Sequence, residues 1–148
     1  MMVKDFMTTK VICANANTTV EQAAKLMLKH HISCLPVHDE QMRLIGILTE
    51  SDFVGREYNP KHALTSLKTL FGEVAYLMDV EEVYKKSKSK KLSEVMSKDV
   101  KTITPADSLS FVVAFMHSNN LKRIPVVDNE KIVGLVTRQD LLKAFDSL

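Results

Sequence analysis

The segment Gly-Ile-Leu-Thr-Glu-Ser-Asp at residues 46–52 recurs as Gly-Leu-Val-Thr-Arg-Gln-Asp at residues 134–140. Each copy has a glycine, two apolar residues and then Thr-x-x-Asp. This pattern predicts a strand that passes into a helix, because a threonine hydroxyl caps a helix and an aspartate favours its positive end. The recurrence predicts a fold built around two copies of one turn.

The similarity extends on both sides of this turn, over Val3–Phe53 and Leu92–Leu141. In each copy an extended stretch is followed by an amphipathic helix, two short strands and a second helix. The chain is therefore predicted to be α/β, with two pseudo-symmetric β-α-β-β-α repeats at residues 1–56 and 92–148. Further landmarks recur in the same order, and they pair Met7 with Met96, Val11 with Val100, Met27 with Met116, Pro36 with Pro125 and Asp39 with Asp128.

Local patterns position the elements within each copy. Thr18-Thr19-Val20-Glu21 predicts a capping box that opens the first helix. Strands are predicted at Val11–Cys13, Leu35–His38 and Leu44–Leu48, and in the second copy at Val100–Ile103, Ile124–Val127 and Ile132–Val136.

Neither repeat is large enough to bury a stable core alone, so we expect the two to pack sheet to sheet, with ligand-sized clefts between them. The intervening segment, residues 57–91, is too apolar for a simple linker. It predicts a helical insert, with helices near 61–71 and 80–88. Asp79 is a plausible cap for the second helix, and the lysines of residues 85–91 suit its C-terminus.

The composition excludes several classes of protein. The 148 residues carry 20 Lys and Arg against 18 Asp and Glu, so a net charge of +2 gives no reason to expect nucleic acid or an anionic membrane as partner. No stretch has the roughly 20 apolar residues of a membrane span, and the N-terminus lacks the features of a signal peptide. Two cysteines are too few for a disulfide scaffold. We expect a soluble cytoplasmic protein with free thiols.

The residues of the repeated turn suit a nucleotide. A helix N-terminus offers N–H groups and a hydroxyl to an anion, and an aspartate one turn in can accept hydrogen bonds from both hydroxyls of a ribose. The glycine would let a flat base approach the backbone. Helix capping explains the same threonine and aspartate without any ligand.

The succession of Met-(Thr/Ser)-x-x-Val, an amphipathic helix, a Pro-Val strand, an Asp turn and Gly-x-x-Thr-x-x-Asp resembles a CBS domain. The tandem resembles the CBS pair, or Bateman module, over about two-thirds of the chain. The resemblance implies that the motif binds adenosine nucleotides or S-adenosylmethionine, with the aspartate on the ribose and the hydroxyl near phosphate. One site would contain Thr49 and Asp52, and the other Thr137 and Asp140.

The resemblance also implies that residues before the proline of one repeat reach the phosphates held by the other. Lys122 and Arg123 would then serve the Asp52 site, whereas the Asp140 site would receive only Ser33 and Cys34.

The first extended stretch of each repeat contributes to the family's adenine pocket. This implicates Cys13 and Thr102.

We expect a regulatory module that senses AMP, ADP, ATP or S-adenosylmethionine, and thereby the energy state of the cell, and that is not an enzyme. No nucleophile motif, glycine-rich phosphate loop or metal-ligand spacing is present, and no cofactor is required. The expected partners are a second copy of the chain in a homodimer and an unknown effector protein. The alternative is a structural dimerisation or protein-interaction module without a ligand.

Overall fold

A computed structural model describes residues 1–58, 67–74 and 79–148. Its helices and strands confirm an α/β fold with two repeats. In chain order the elements are α1 (Val3–Phe6), β1 (Ala14–Asn15), α2 (Val20–His30), β2 (Cys34–His38), β3 (Leu44–Thr49), α3 (Glu50–Val54), β4 (Arg56–Tyr58), β5 (Leu67–Leu70), β6 (Glu73–Val74), α4 (Val80–Ser87), α5 (Leu92–Val95), α6 (Leu109–Ser118), β7 (Arg123–Asp128), β8 (Lys131–Thr137) and α7 (Arg138–Asp146).

The first compact unit, unit 1, comprises Met1–Ile12, Asp39–Leu44 and Asp99–Leu148. Its strands β7 and β8 form an antiparallel hairpin, which Ile103 extends by a parallel bridge to Val126. Helices α6 and α7 pack with this hairpin, and apolar side chains from every layer form one core. The buried members of that core are Val3, Phe6, Ile103, Val112, Met116, Ile124, Val126, Val136 and Ala144.

The start of the chain belongs to unit 1, although by sequence it opens the first repeat. The Val3 backbone N–H donates to the Asp107 carbonyl oxygen at 2.8 Å. Thr8 and Leu135 exchange two backbone hydrogen bonds of 2.9 Å, so residues after α1 lie along β8. These bonds bring Thr8 next to the junction between β8 and α7.

The second compact unit, unit 2, comprises Cys13–His38 and Ile45–Lys98. Its main sheet has the order β1-β2-β3, with β1 parallel to β2. The predicted capping box is wrong by one residue: Thr19 caps α2 and exchanges hydrogen bonds of 3.0 and 3.2 Å with Gln22. Gln22 takes this place because it stands three residues after the cap, where its side chain reaches back.

The central strands of each repeat match their predicted positions within a residue, but the first strand does not. β1 is Ala14–Asn15 rather than Val11–Cys13, and in Val100–Ile103 a bridge forms at Ile103. In the first repeat the ladder begins one residue after the predicted stretch, where Ala14 pairs with Val37 of β2; in the second, the last residue of the predicted stretch, Ile103, bridges to Val126 of β7.

The predicted helix near 61–71 is wrong in the part that the structure describes; residues 61–66 lie outside the described residues. Leu67–Leu70 form β5, which pairs with β4 and β6 in an antiparallel sheet. Phe71 and Gly72 have φ of 47° and 81°, a pair of positive angles typical of a tight hairpin. The second insert helix is confirmed as α4, and the Asp79 carboxylate accepts from the Glu81 N–H at 2.9 Å.

Candidate functional site

The two Thr-x-x-Asp segments lie at strand-to-helix junctions, as predicted. Thr49 ends β3 and caps α3, while Thr137 ends β8 and caps α7; both have extended backbone angles. The aspartates fall in the first helical turn, where Asp52 is 5% exposed and Asp140 is 1% exposed. Among the acidic side chains whose burial the structure describes, these two are the buried ones.

The Asp140 carboxylate accepts hydrogen bonds from four donors of unit 1. Oδ2 accepts from the backbone N–H and the hydroxyl of Thr137, at 2.8 and 2.9 Å. Oδ1 accepts from Thr8 Oγ1 and from Lys143 Nζ, both at 3.0 Å. A carboxylate has about four acceptor positions, so these donors fill it.

Two opposing effects determine the pKa of Asp140. Burial disfavours the charged form and by itself raises the pKa. The hydrogen bonds from the Thr137 N–H, the Lys143 ammonium and the Thr137 and Thr8 hydroxyls outweigh burial, and the pKa of Asp140 is lowered from its ordinary value. Asp140 is therefore a carboxylate at neutral pH.

The Asp52 turn of unit 2 has the same backbone-to-carboxylate hydrogen bond, but the helix that follows it is shorter. The Thr49 N–H donates to Asp52 Oδ2 at 2.8 Å. Helix α3 ends at Val54, and Gly55, with φ of 99°, stands where the second repeat carries Lys143. The two turns therefore differ three residues after the aspartate.

The motif glycines serve internal packing. A Cβ added to Gly134 would lie 2.6 Å from Met7 Sδ, and one added to Gly46 would overlap Met96 Sδ. A methionine of the same unit thus requires a glycine at each position without any ligand, and the approach of a flat base to these glycines stays a prediction. The recurrence of Met7 as Met96 follows from this packing.

Each pre-proline segment lies beside the threonine turn of its own repeat through backbone contacts. The Arg138 N–H donates to the Lys122 carbonyl oxygen at 3.3 Å, and Arg123 stands opposite Thr137 in the ladder. In unit 2 the Glu50 N–H donates to the Ser33 carbonyl oxygen at 3.1 Å. That these side chains contact a ligand held at the turn of the other repeat stays a prediction.

Cys34 is buried at 5% exposed and Cys13 is half-buried. Burial raises the pKa of the Cys13 thiol, so this group is uncharged at neutral pH. Thr102 is exposed and precedes the bridge at Ile103. Roles for Cys13, Cys34 and Thr102 in ligand binding stay predictions.

Two residues at the Asp140 turn were missed by sequence reasoning. Thr8 carried a signal, since the Met-(Thr/Ser) pattern recurs as Met96-Ser97, and Ser97 exchanges backbone hydrogen bonds of 3.0 and 3.1 Å with Ile47 beside the other turn. The sequence signal for Lys143 is weaker: this residue stands three positions after Asp140 and therefore lies on the same helix face.

The sequence model of the CBS domain matches residues 3–58 and again residues 92–147. The chain belongs to the CBS domain family. Both matched CBS domains contain a complete Thr-x-x-Asp turn.

Similar proteins cover the whole tandem. The CBS domain-containing protein YhcV of Bacillus subtilis is 32% identical over 139 residues, which span 94% of this chain and 81% of YhcV. The CBS domain pair of protein MJ0100, solved in complex with 5′-methylthioadenosine and S-adenosyl-L-methionine, has a TM-score of 0.70 and 26% identity, covering 99% of this chain and 97% of that one. CBSX2, solved in complex with AMP, shares the fold at a TM-score of 0.73 and 21% identity, over 99% of this chain and 96% of that one.

Some relatives of this CBS chain are much longer proteins. The chain spans 23% of an L-aspartate semialdehyde sulfurtransferase from Methanocaldococcus jannaschii, with 29% identity, and 47% of protein MJ1225 from the same organism, with 30% identity. CBS domains of this kind thus occur both in CBS proteins and as segments of enzymes. In the described ranges, each helix of the present chain is too short or too polar to cross a bilayer.

Proposed function

We propose that the chain is a regulatory module that binds an adenine-containing small molecule at its Thr-x-x-Asp turns and catalyses no reaction. The observation that carries this proposal is the burial of Asp52 and Asp140 at the same position of both repeats.

Helix capping alone does not require that burial. Asp79 caps α4 from an exposed position, whereas a buried carboxylate costs free energy unless donors compensate it. A carboxylate with two oxygens at the edge of a turn suits a ribose, because its two neighbouring hydroxyls can each donate to one oxygen. The adjacent threonine hydroxyl adds a polar group for the rest of the ligand.

The ligands of the MJ0100 pair support an adenosine-containing molecule. 5′-Methylthioadenosine and S-adenosyl-L-methionine differ at the 5′ substituent and share adenine and a ribose diol. AMP, ADP and ATP share the same portion. We therefore propose that the turns recognise the adenosine portion, with the ligand drawn from these nucleotides or S-adenosylmethionine.

The signal would leave the module through protein contacts. On α7, Leu142 and Phe145 are apolar side chains that are 69% and 79% exposed. Exposed apolar residues on one helix favour association, so we propose a homodimer that transmits the ligand signal to an effector protein.

The second candidate is a structural module without a ligand, and one observation favours it. The donors on Asp140 all come from the protein, so the carboxylate is satisfied without a ribose. Under this candidate the aspartates hold the turns together and the exposed helices bind a partner.

Thermal unfolding with AMP, ADP, ATP or S-adenosylmethionine distinguishes the two candidates, with GMP as a matched control. A ligand at one hundred times its dissociation constant should stabilise the native state by about 2.7 kcal/mol. Asp52→Ala and Asp140→Ala should each reduce that gain while remaining folded. The ligand-free module is correct if no adenine compound stabilises the protein more than GMP does.

A further inference from the structure

An open pocket of about 440 Å³ lies in unit 1, next to the Asp140 turn. Its polar lining comes from α1 and the segment after it, and from α7 and its C-cap, and consists of Asp5, Thr8, Thr9, Lys10, Lys143 and Ser147. Asp140 and Lys143 are three residues apart on one face of α7, and Ser147 is the C-cap of that helix. The pocket therefore adjoins the carboxylate through Thr8 and Lys143.

A ribose that binds Asp140 must first displace one of its donors, because the carboxylate is filled. Thr137 is part of the helix cap, and Thr8 is held along β8 by its two 2.9 Å backbone bonds to Leu135. Lys143 is the donor that can leave, since its side chain is 61% exposed and flexible. The Lys143 ammonium thus competes with a ribose for Oδ1.

We propose that Lys143 makes the Asp140 turn selective for adenine ligands with an anionic 5′ group. When a ribose occupies Asp140, the displaced ammonium turns into the pocket and meets the anion there, together with Lys10 and the hydroxyl of Thr9. An uncharged nucleoside displaces the same ammonium but brings no anion to pair with it. This inference rests on the proposed function and adds the charge of the preferred ligand.

The first repeat has no lysine three residues after its aspartate. Gly55 replaces the lysine at the corresponding position and ends α3. Selection by a lysine three residues after the aspartate is therefore a property of the Asp140 turn.

Calorimetric titration of AMP and adenosine into the full chain and its Lys143→Met variant tests this inference. An exposed ion pair is worth about 0.2–1 kcal/mol, so Lys143→Met should bind adenosine up to about fivefold more tightly. AMP should bind no more tightly, because the ammonium that pairs with its phosphate is gone. The preference for AMP over adenosine should fall by at least the gain for adenosine.

Lys131→Met is the matched control. It removes the same charge from the opposite end of β8, about 20 Å from Thr137 by strand geometry, and should leave the preference unchanged. The gain in adenosine affinity from Lys143→Met should vanish in an Asp140→Asn background, since no carboxylate then holds the lysine.

The outcomes distinguish failure of the proposed function from failure of the role of Lys143. If the unmodified chain binds neither AMP nor adenosine, the proposed function fails and the inference fails with it. If both bind and Lys143→Met changes their affinities by the same factor, or if Lys131→Met lowers the preference equally, the role of Lys143 alone is overturned.

Discussion

Replacing Asp140 by asparagine should destabilise the fold at neutral pH. The variant keeps one oxygen acceptor and places an NH₂ group at the other oxygen position. With the oxygen on the Thr137 N–H, the NH₂ group faces the Thr8 hydroxyl and the Lys143 ammonium, which both donate to the native carboxylate. Loss of these charge-assisted bonds at a 1% exposed position should cost about 1–3 kcal/mol of unfolding free energy. The share of Lys143 is small because its side chain is exposed.

The loss should depend on pH with a definite sign. The pKa of Asp140 is lower in the native chain than its ordinary value, so the carboxylate stabilises the fold above the unfolded pKa of about 3.9. This contribution disappears as the pH falls through the lower, native pKa. Asparagine does not titrate, and the other carboxylates are common to both proteins. The stability difference should therefore be complete between about pH 5 and 7 and should close in stronger acid.

Urea unfolding of both proteins, followed by circular dichroism at pH 7, 5, 4 and 3, measures this difference directly. Asp128→Asn makes the same change at an exposed position of unit 1 and should alter stability by less than about 0.5 kcal/mol. A difference of constant size from pH 7 to pH 3, or none at pH 7, would show that the hydrogen bonds of Asp140 do not stabilise the native state as described.

Four further predictions concern other parts of the molecule. Gly134→Ala should lower the unfolding free energy by about 1–3 kcal/mol, because its Cβ would lie 2.6 Å from Met7 Sδ, and urea unfolding should show partial recovery when Met7→Ala is added. Tyr84→Phe removes a 2.6 Å hydrogen bond to the Phe53 carbonyl oxygen and should cost about 0.5–1.5 kcal/mol in the same assay; an unchanged midpoint would contradict it. Arg123→Ala should weaken AMP binding and reduce its salt dependence in calorimetry, and the effect should survive in Asp140→Ala if this arginine serves the other turn. Sedimentation at tens of micromolar should find a dimer, and a monomer would refute the proposed association.

The repeated turn could be predicted from sequence because its residues are local to each other. Thr137 and Asp140 are three positions apart, and the hydrogen bond between them follows from the helix N-terminus they form. The partners from outside the motif could not be predicted. Thr8 and Asp140 are 132 positions apart, and their contact depends on the pairing of the N-terminal segment with β8 rather than with its own repeat.

The insert shows a second limit of sequence patterns. Leu67 and Leu70 are spaced as on a helix, yet they lie in a strand. The deciding feature is the turn at Phe71 and Gly72, where Phe71 takes a positive φ that its residue type does not favour. In that conformation Phe71 is only 6% exposed, and its ring packs edge to face on Phe53 with the two ring centroids 4.9 Å apart. Packing of this kind overrides a short helical period.

The most direct test of the proposed function is a crystal structure of the protein grown with AMP. The proposed function predicts that the ribose 2′ and 3′ oxygens lie within about 3 Å of the carboxylate oxygens of Asp52 or Asp140. At the Asp140 turn, the Lys143 ammonium should have moved from the carboxylate to the phosphate. A nucleotide whose ribose contacts neither aspartate, or the absence of bound nucleotide at both turns, would contradict it.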